Sequence, residues 1–213
     1  VYAYTQDLSK VDFVIAVDIC GNDESILLQK SWDMEDRLNR VAHCALQTLG
    51  RSYRKGQFRT CIGSDETVFN DPIIGIPGIL LTTWTPDWKE YHTSADTPDK
   101  LSYSRIQDFA DFIVKIIDIY ERDYIPERLF KGPLMRSRYG MQSPSKALNL
   151  NWDYFTYSID GKRSLAELCA EFELNFDYVH SLFDKIIKDG FIRHGGPDFG
   201  QRKVKKAAKK KHS

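Results

Sequence analysis

Short apolar runs alternate with helical stripes along the first 124 residues. Residues 13–17 form a continuous apolar, largely β-branched run that ends in Asp18, a pattern typical of a strand buried on both faces of a mainly parallel sheet. Residues 57–62 and 75–84 predict two further strands. Apolar residues recur at helical spacing over residues 34–49, and again from Ser102 onward. This order of strands and helices predicts an α/β fold.

The second of these helices is predicted to bury a single apolar stripe. Its members recur every three or four positions: Ile106, Phe109, Ala110, Ile113, Ile116, Ile117 and Tyr120. Such spacing places the side chains on one side of a helix, where they can pack on a sheet.

The pattern changes after Tyr124. Residues 125–147 contain three prolines and two glycines without periodicity, which predicts a linker or a strap over the surface. Residues 148–196 predict three short helices and a strand. Ser164 and Glu167 form a capping box at the start of the second helix. Asn175 or Asp177 caps the third helix, and Gly190 ends it. This arrangement is typical of a winged-helix or helix-turn-helix domain. Residues 197–213 are predicted to be a disordered basic tail.

Charge is unevenly distributed, although the formal net charge is zero. The last dozen residues carry seven positive charges and no acid, which leaves 23 basic against 30 acidic residues in the rest of the chain. An acidic body argues against a surface built to hold nucleic acid. No apolar run is long enough to cross a bilayer. The four cysteines form no CxxC pair, so we expect free thiols and a cytoplasmic location.

Two segments carry candidate chemistry. Asp18 follows a predicted buried strand, where open α/β sheets bind ligands, although it could equally cap the following turn. The second segment runs through the Gly63-Ser64-Asp65-Glu66 and Gly75-Ile76-Pro77 blocks to residues 91–97, Tyr-His-Thr-Ser-Ala-Asp-Thr. His92 in this polar loop could bind zinc through one ring nitrogen while a carboxylate orients the other. The alternative is an ordinary solvent-exposed histidine.

These blocks, in this order and at this spacing, resemble the end of the M28-type zinc aminopeptidase fold. The resemblance extends over residues 1 to about 195. It points to a bacterial subgroup of uncharacterised aminopeptidase-like proteins with a C-terminal winged helix. It implies part of a zinc-exopeptidase-type mixed sheet flanked by helices over residues 1–124, and a winged-helix domain over residues 148–196. It also implies that Asp18 and His92 are metal ligands in a hydrolase of peptide or amide bonds.

The same resemblance shows what the chain lacks. A complete family member binds one or two zinc ions and has an upstream histidine, a bridging aspartate and a Glu-Glu pair that includes the general base. Nothing before Val11 matches these residues, so no catalytic residue is identified, and the chain alone could bind no zinc at all. Catalytic zinc usually takes three protein ligands, and the sequence offers two. Four further residues are candidates for contacting substrate or for orienting the metal ligands: Asp65, Glu66, Tyr91 and Asp96. The alternative is that their side chains cap local structure or face solvent.

Several alternatives therefore stay open. The chain is either the C-terminal part of an enzyme or a degenerate relative that acts as a non-catalytic interaction protein, with the winged helix as a protein-contact module. An upstream N-terminal polypeptide or a second copy would cover the open apolar edge of its sheet. Specific DNA binding is not expected, because residues 177–189 set three acids against two lysines. The basic tail could still bind nucleic acid weakly and without sequence preference.

Overall fold

A four-stranded mixed sheet forms the centre of the protein, for which a computed structural model describes residues 8–134 and 152–195. The strands are β1 (Val14–Val17), β2 (Ile26–Gln29), β3 (Arg54–Gly56) and β4 (Gly78–Thr83), in the order β1-β4-β2-β3. β1 runs parallel to β4, β2 runs antiparallel to β4, and β3 runs parallel to β2. The predicted α/β class with a mixed sheet flanked by helices is confirmed. The predicted basic tail and residues 135–151 lie outside the described residues.

The long helices cover one face of this sheet, and an irregular segment together with the short helix Glu66–Phe69 lies against the other. Period-two alternation directs Leu28 and Leu81 towards the helices and Gln29 towards the opposite face. The buried Gln29 side chain donates through Nε2 to the carbonyl of Ile62 at 2.7 Å. Its Oε1 accepts from the backbone amide of Cys61 at 2.5 Å. Residues 57–62, predicted to be a strand, therefore lie across the sheet face and form no ladder. The strand β3 lies just before these residues in the chain. The strand β2 was not predicted from the sequence.

β1 differs from its prediction as a strand covered on both faces. Val14, Ile15 and Ala16 are only half-buried, and Val17 is 39% exposed. The reason is topological, because β1 pairs with β4 alone and forms an edge of the sheet. An apolar sequence cannot distinguish an internal strand from an edge strand, since the distinction depends on which neighbours are present.

Six helices complete the described fold. They are α1 (Arg37–Thr48), α2 (Glu66–Phe69), α3 (Tyr103–Arg122), α4 (Trp152–Tyr157), α5 (Leu165–Glu171) and α6 (Phe176–Lys188). α1 packs against α3 and α5 and is buried along its apolar face at Leu38, Val41, Ala42, Ala45 and Leu46. The same apolar cluster includes Phe155, Leu168 and Phe183 from the C-terminal helices. The two predicted domains thus share one continuous core. No described helix has both the length and the apolar character to span a membrane.

α3 buries part of the predicted stripe, since Phe109 and Ile116 are buried and Ile113 and Tyr120 pack against the core. Its fully buried side chains are Phe109, Phe112, Ile116 and Ile119. Ile106, Ala110 and Ile117, predicted to face the core, are exposed. The helix carries apolar residues around more than half of its circumference, so periodicity alone could not select the face that meets the sheet.

The segment after α3 also forms a strand within the predicted linker. β5 (Pro126–Arg128) pairs antiparallel with β6 (Ile192–His194) and so connects this segment to the end of the chain's described part. The predicted capping box is present, with the Ser164 hydroxyl accepting from the Glu167 amide at 3.2 Å and the Glu167 carboxylate accepting from the Ser164 amide at 2.7 Å. Asn175 caps α6 as predicted. The region consists of three helices and a two-stranded sheet.

A buried carboxylate joins the two parts of the fold. Asp123 Oδ1 accepts from the amide of Ala166 at 2.8 Å, in the first turn of α5, and Oδ2 accepts from Arg37 Nε at 3.1 Å. The Arg37 guanidinium also donates to the Tyr120 carbonyl at 2.9 Å and lies over the Tyr120 ring at 4.1 Å. Burial raises the pKa of Asp123, although these hydrogen bonds and Arg37 oppose that shift. One side chain therefore connects α1, the end of α3 and α5.

Replacing Asp123 with alanine should strongly destabilise the fold. Removing one partner of a buried ion pair leaves the other uncompensated, which costs about 3–5 kcal/mol. Urea unfolding followed by circular dichroism measures the loss. Glu121→Ala, at an exposed position two residues earlier, is the matched control and should change stability by less than about 0.5 kcal/mol. Equal losses in both variants would contradict the role assigned to Asp123.

Candidate functional site

Asp18 lies at the carboxyl end of β1. Its amide donates to the carbonyl of Leu81 at 3.1 Å, which continues the pairing with β4 by one residue. The side chain is half-buried. Ile19 then takes a positive φ of 49° and turns the chain away from the sheet. Asp18 is therefore held by backbone pairing at the point where the strand ends.

The loop after Asp18 is fixed on two sides. Thr83 Oγ1, at the end of β4, donates to the Ile19 carbonyl at 2.8 Å. The same oxygen accepts from Nδ2 of the buried Asn22 side chain at 2.9 Å. The Gly21 carbonyl accepts from the Ser102 amide at 2.6 Å, and a Cβ on Gly21 would lie 2.5 Å from Leu101 Cδ2. This glycine permits the close approach of the loop to the start of α3.

His92 lies in the long polar loop that follows β4. The imidazole is exposed, the residue has a positive φ of 60°, and the ring stacks on that of Tyr91 with centroids 3.9 Å apart. Thr93 forms a turn with Glu90, and the Asp96 amide donates to the Thr93 carbonyl at 3.2 Å. Tyr91 is half-buried, whereas Asp96 is exposed. Local turns thus hold the Tyr-His-Thr block at the surface.

The sheet topology brings Asp18 and the His92 loop to the same edge. β1 and β4 are parallel neighbours, so the segments that follow them leave from adjacent positions. Among the described residues, however, no group of three or more His, Cys, Asp or Glu side chains is arranged to hold a metal ion. The segments that carry the two candidate ligands thus begin at adjacent strand ends, and the described part of the chain presents no complete site.

Asp65 and Glu66 lie at the opposite end of β4. The Glu66 side chain packs against Gly78, the first residue of that strand, with a Cβ on Gly78 lying 3.1 Å from Glu66 Cβ. The six residues of β4, which span about 20 Å, separate the Glu66 side chain from the start of the loop that contains His92. The Glu66 carboxylate is buried, accepts from the Ser64 amide at 3.0 Å, and has a pKa raised by burial. Asp65 is exposed, and its side chain forms no capping hydrogen bond with α2.

A second polar cluster surrounds His43, on α1. Lys55 Nζ donates to His43 Nε2 at 3.1 Å, so Nδ1 carries the proton of the neutral ring and donates to the Tyr53 hydroxyl. Burial, followed by the charge of Lys55, lowers the pKa of His43 from 6.5 to about 4. The nearby cleft between α1 and α5 holds Arg40 and Arg163, but both already pair with acids. We find no catalytic geometry there.

The four cysteines are free, as predicted. Cys44 and Cys169 are buried next to each other in the core, and burial raises the pKa of the Cys169 thiol. Cys61 Sγ lies 2.8 Å from Thr85 Oγ1, just beyond the end of β4. The buried environment of Cys169 does not favour a reactive thiolate.

Comparison with known proteins gives a family and a shared fold. The family model described as "Domain of unknown function (DUF4910)" matches residues 2–123. No curated protein matches the chain. A solved structure named "putative peptidase", from Clostridium acetobutylicum, is 19% identical with a TM-score of 0.69, covering 88% of this chain and 43% of that one. An aminopeptidase from Aneurinibacillus sp. strain AM-1 is 22% identical with a TM-score of 0.46, covering 55% and 28% respectively.

The first of these structures has the same fold as the present chain. The shared region includes the sheet and extends into the C-terminal helices, because it covers most of this chain. The chain spans less than half the length of either solved relative.

The contribution of His43 to the stability of the protein should be lost as the pH decreases from 6.5 towards 4. The folded state holds His43 neutral down to a pKa of about 4, whereas an unfolded histidine takes up its proton near 6.5. Protons then bind the unfolded state preferentially in this window. His43→Gln, which cannot titrate, should show a smaller loss in urea unfolding measured across the same pH range. An unchanged dependence in His43→Gln would contradict the assignment.

Proposed function

Because the chain belongs to the DUF4910 family and shares its fold with a larger protein named as a peptidase, we propose that it is part of a zinc-dependent, aminopeptidase-like hydrolase of peptide or amide bonds. The observation that carries this proposal is topological. Asp18 and the loop containing His92 leave the sheet from neighbouring parallel strands. These are the two residues that the resemblance to zinc aminopeptidases assigns as metal ligands.

The two candidate side chains are of types that bind zinc, but a catalytic zinc site needs more of them. A carboxylate and an imidazole are both common zinc ligands, and a catalytic zinc usually takes three protein ligands. The described residues supply no third ligand next to these two, and the sequence shows no general base. We therefore propose that Asp18 and His92 contribute to a site that other polypeptide completes, and we assign no step of hydrolysis to this chain.

Each candidate residue has a distinct proposed role. Asp18, anchored by its amide to β4, would give a fixed ligand, whereas His92 would give a ligand on a loop that can adjust. Tyr91 stacks on the His92 ring and would orient it, and the exposed Asp96 follows in the same loop. Asp65 and Glu66 keep the proposed role of orienting or substrate-contact residues, and neither is proposed as a metal ligand. Glu66 also supports α2 against the sheet.

A non-catalytic interaction protein is the second candidate function. The absence of a three-ligand group in the described part of the chain favours it. In this alternative, residues 148–196 form a winged-helix module for protein contact. α6 presents Tyr178, Lys185 and Lys188 to solvent, while its Asp177 already pairs with Lys115 and Arg122 of α3. That surface carries too little positive charge for specific DNA binding.

Zinc binding by the full chain separates the two candidates. We expect the chain to bind about one zinc ion weakly in competition with a chromophoric chelator, because two ligands hold a metal less tightly than three or four. His92→Ala and Asp18→Asn should each weaken binding by about tenfold or more. His194→Ala, which removes an exposed histidine on β6, is the matched control. If the chain binds zinc and His92→Ala binds it as tightly as wild type does, the metal-site proposal is wrong.

A further inference from the structure

Two buried thiols meet where α1 packs against α5. Cys44 on α1 and Cys169 on α5 are both 0% exposed and free, and the thiol of Cys169 lies against that of Cys44. The other two cysteines, Cys20 and Cys61, are half-buried and lie in loops. Cys44 and Cys169 are therefore the pair of cysteines that the core brings together.

The contacts on either side of Cys44 direct its side chain towards the C-terminal helices. Arg40, Cys44 and Thr48 are separated by four residues, so they lie on one stripe of α1. Arg40 donates to the Glu167 carboxylate of α5 at 2.5 Å. Thr48 Oγ1 accepts from the amide of Phe176, the first residue of α6, at 3.0 Å. Cys44 lies midway between these two contacts and so faces α5.

Small side chains surround the pair. Ala166 lies one turn before Cys169 on α5, and Ala45 follows Cys44 on α1; both alanines are 0% exposed. Helices approach one another more closely where the side chains between them are small. A disulfide requires such an approach, because it joins residues whose Cα atoms are about 4.4–6.8 Å apart.

A cleft opens to solvent beside the pair. It has a volume of about 380 Å³, and its lining includes His43 of α1 and Ala170 of α5. These two residues are the immediate neighbours of Cys44 and Cys169 in the chain. The cleft therefore gives a small oxidant a route to the part of the helix contact that contains the two thiols.

We propose that Cys44 and Cys169 form a reversible disulfide when the folded chain meets a peroxide, and that this bond fixes α5 to α1. First, one thiolate attacks the O–O bond of hydrogen peroxide, its sulfur becomes a sulfenic acid, and the hydroxide that leaves takes up the thiol proton as water. The neighbouring thiol then displaces the sulfenic hydroxyl as a second water, and the S–S bond forms. The two thiols together give up two electrons and two protons, which reduce one peroxide to two waters.

The position of the pair favours a slow reaction with a single product. Burial raises the pKa of the Cys169 thiol, and the attacking species is the thiolate, so the first step is slow. The second thiol already lies in contact when the sulfenic acid forms. Disulfide formation therefore precedes further oxidation of the sulfur.

The bond joins the family domain to the C-terminal helices. Cys44 lies within residues 2–123, which match the family, whereas Cys169 lies beyond them. The disulfide closes a loop of about 125 residues, and a cross-link across a long loop stabilises a fold by restricting its unfolded chain. The redox state of the pair thus sets how firmly the C-terminal helices are held against the sheet.

Peptide mapping of the full chain after treatment with hydrogen peroxide tests the proposal. Trypsin places the four cysteines in four different peptides, so mass spectrometry of a non-reduced digest identifies each cross-link. The peptides that contain Cys44 and Cys169 should be joined within one chain, and iodoacetamide should label neither sulfur. Dithiothreitol should restore both thiols, which separates this change from methionine oxidation.

A variant that keeps only this pair tests the stabilising effect of the bond. Cys20→Ala/Cys61→Ala should unfold at a higher urea concentration after oxidation than before it, and dithiothreitol should reverse the shift. The matched control is Cys44→Ala/Cys169→Ala, which keeps the two half-buried cysteines. Its urea midpoint should not rise on oxidation.

Three results would overturn the proposal. They are two thiols that iodoacetamide still labels after peroxide treatment of the wild-type chain, a cross-link between chains in place of one within a chain, and an unfolding midpoint of Cys20→Ala/Cys61→Ala that does not rise on oxidation. Asp18 and His92 take no part in the reaction, so each result is independent of the proposed metal site.

Discussion

The fold depends on a single buried carboxylate at the junction of its two parts. Asp123 accepts from the first turn of α5 and from Arg37 at the start of α1, and it lies directly after α3. Burial of this charge is unfavourable in itself, as its raised pKa shows. The ion pair and the amide offset that cost only when the three helices meet in one arrangement. The family match over residues 2–123 ends at this residue, so the junction couples the family domain to the C-terminal helices.

That coupling explains why the two parts share a core. α1 lies between the sheet and α5, and its apolar residues pack in one cluster with side chains of α4, α5 and α6. A C-terminal unit held in this way is oriented relative to the sheet, not tethered loosely to it. Whatever surface α6 presents therefore has a fixed position relative to the carboxyl edge of β1 and β4. A protein-contact role for the unit and a metal site at that edge are physically compatible.

The edge of the sheet at β1 remains apolar and partly exposed. Thr83 fastens the loop after Asp18 to β4, whereas Val17, the last residue of β1, is 39% exposed. An edge strand without charges between Asp12 and Asp18 lacks the usual protection against association.

The sequence by itself determined the fold class, the caps of α5 and α6 and the resemblance to zinc aminopeptidases. Local patterns fix these features, because a capping box or a Tyr-His-Thr block depends only on nearby residues. The tertiary structure decided which face of α3 meets the sheet, since both of its stripes have helical period. It also decided that β1 is an edge and that residues 57–62 lie across the sheet as a support for Gln29. The position of Glu66 against Gly78, at the start of β4, likewise follows from tertiary packing, which spacing along the chain does not encode.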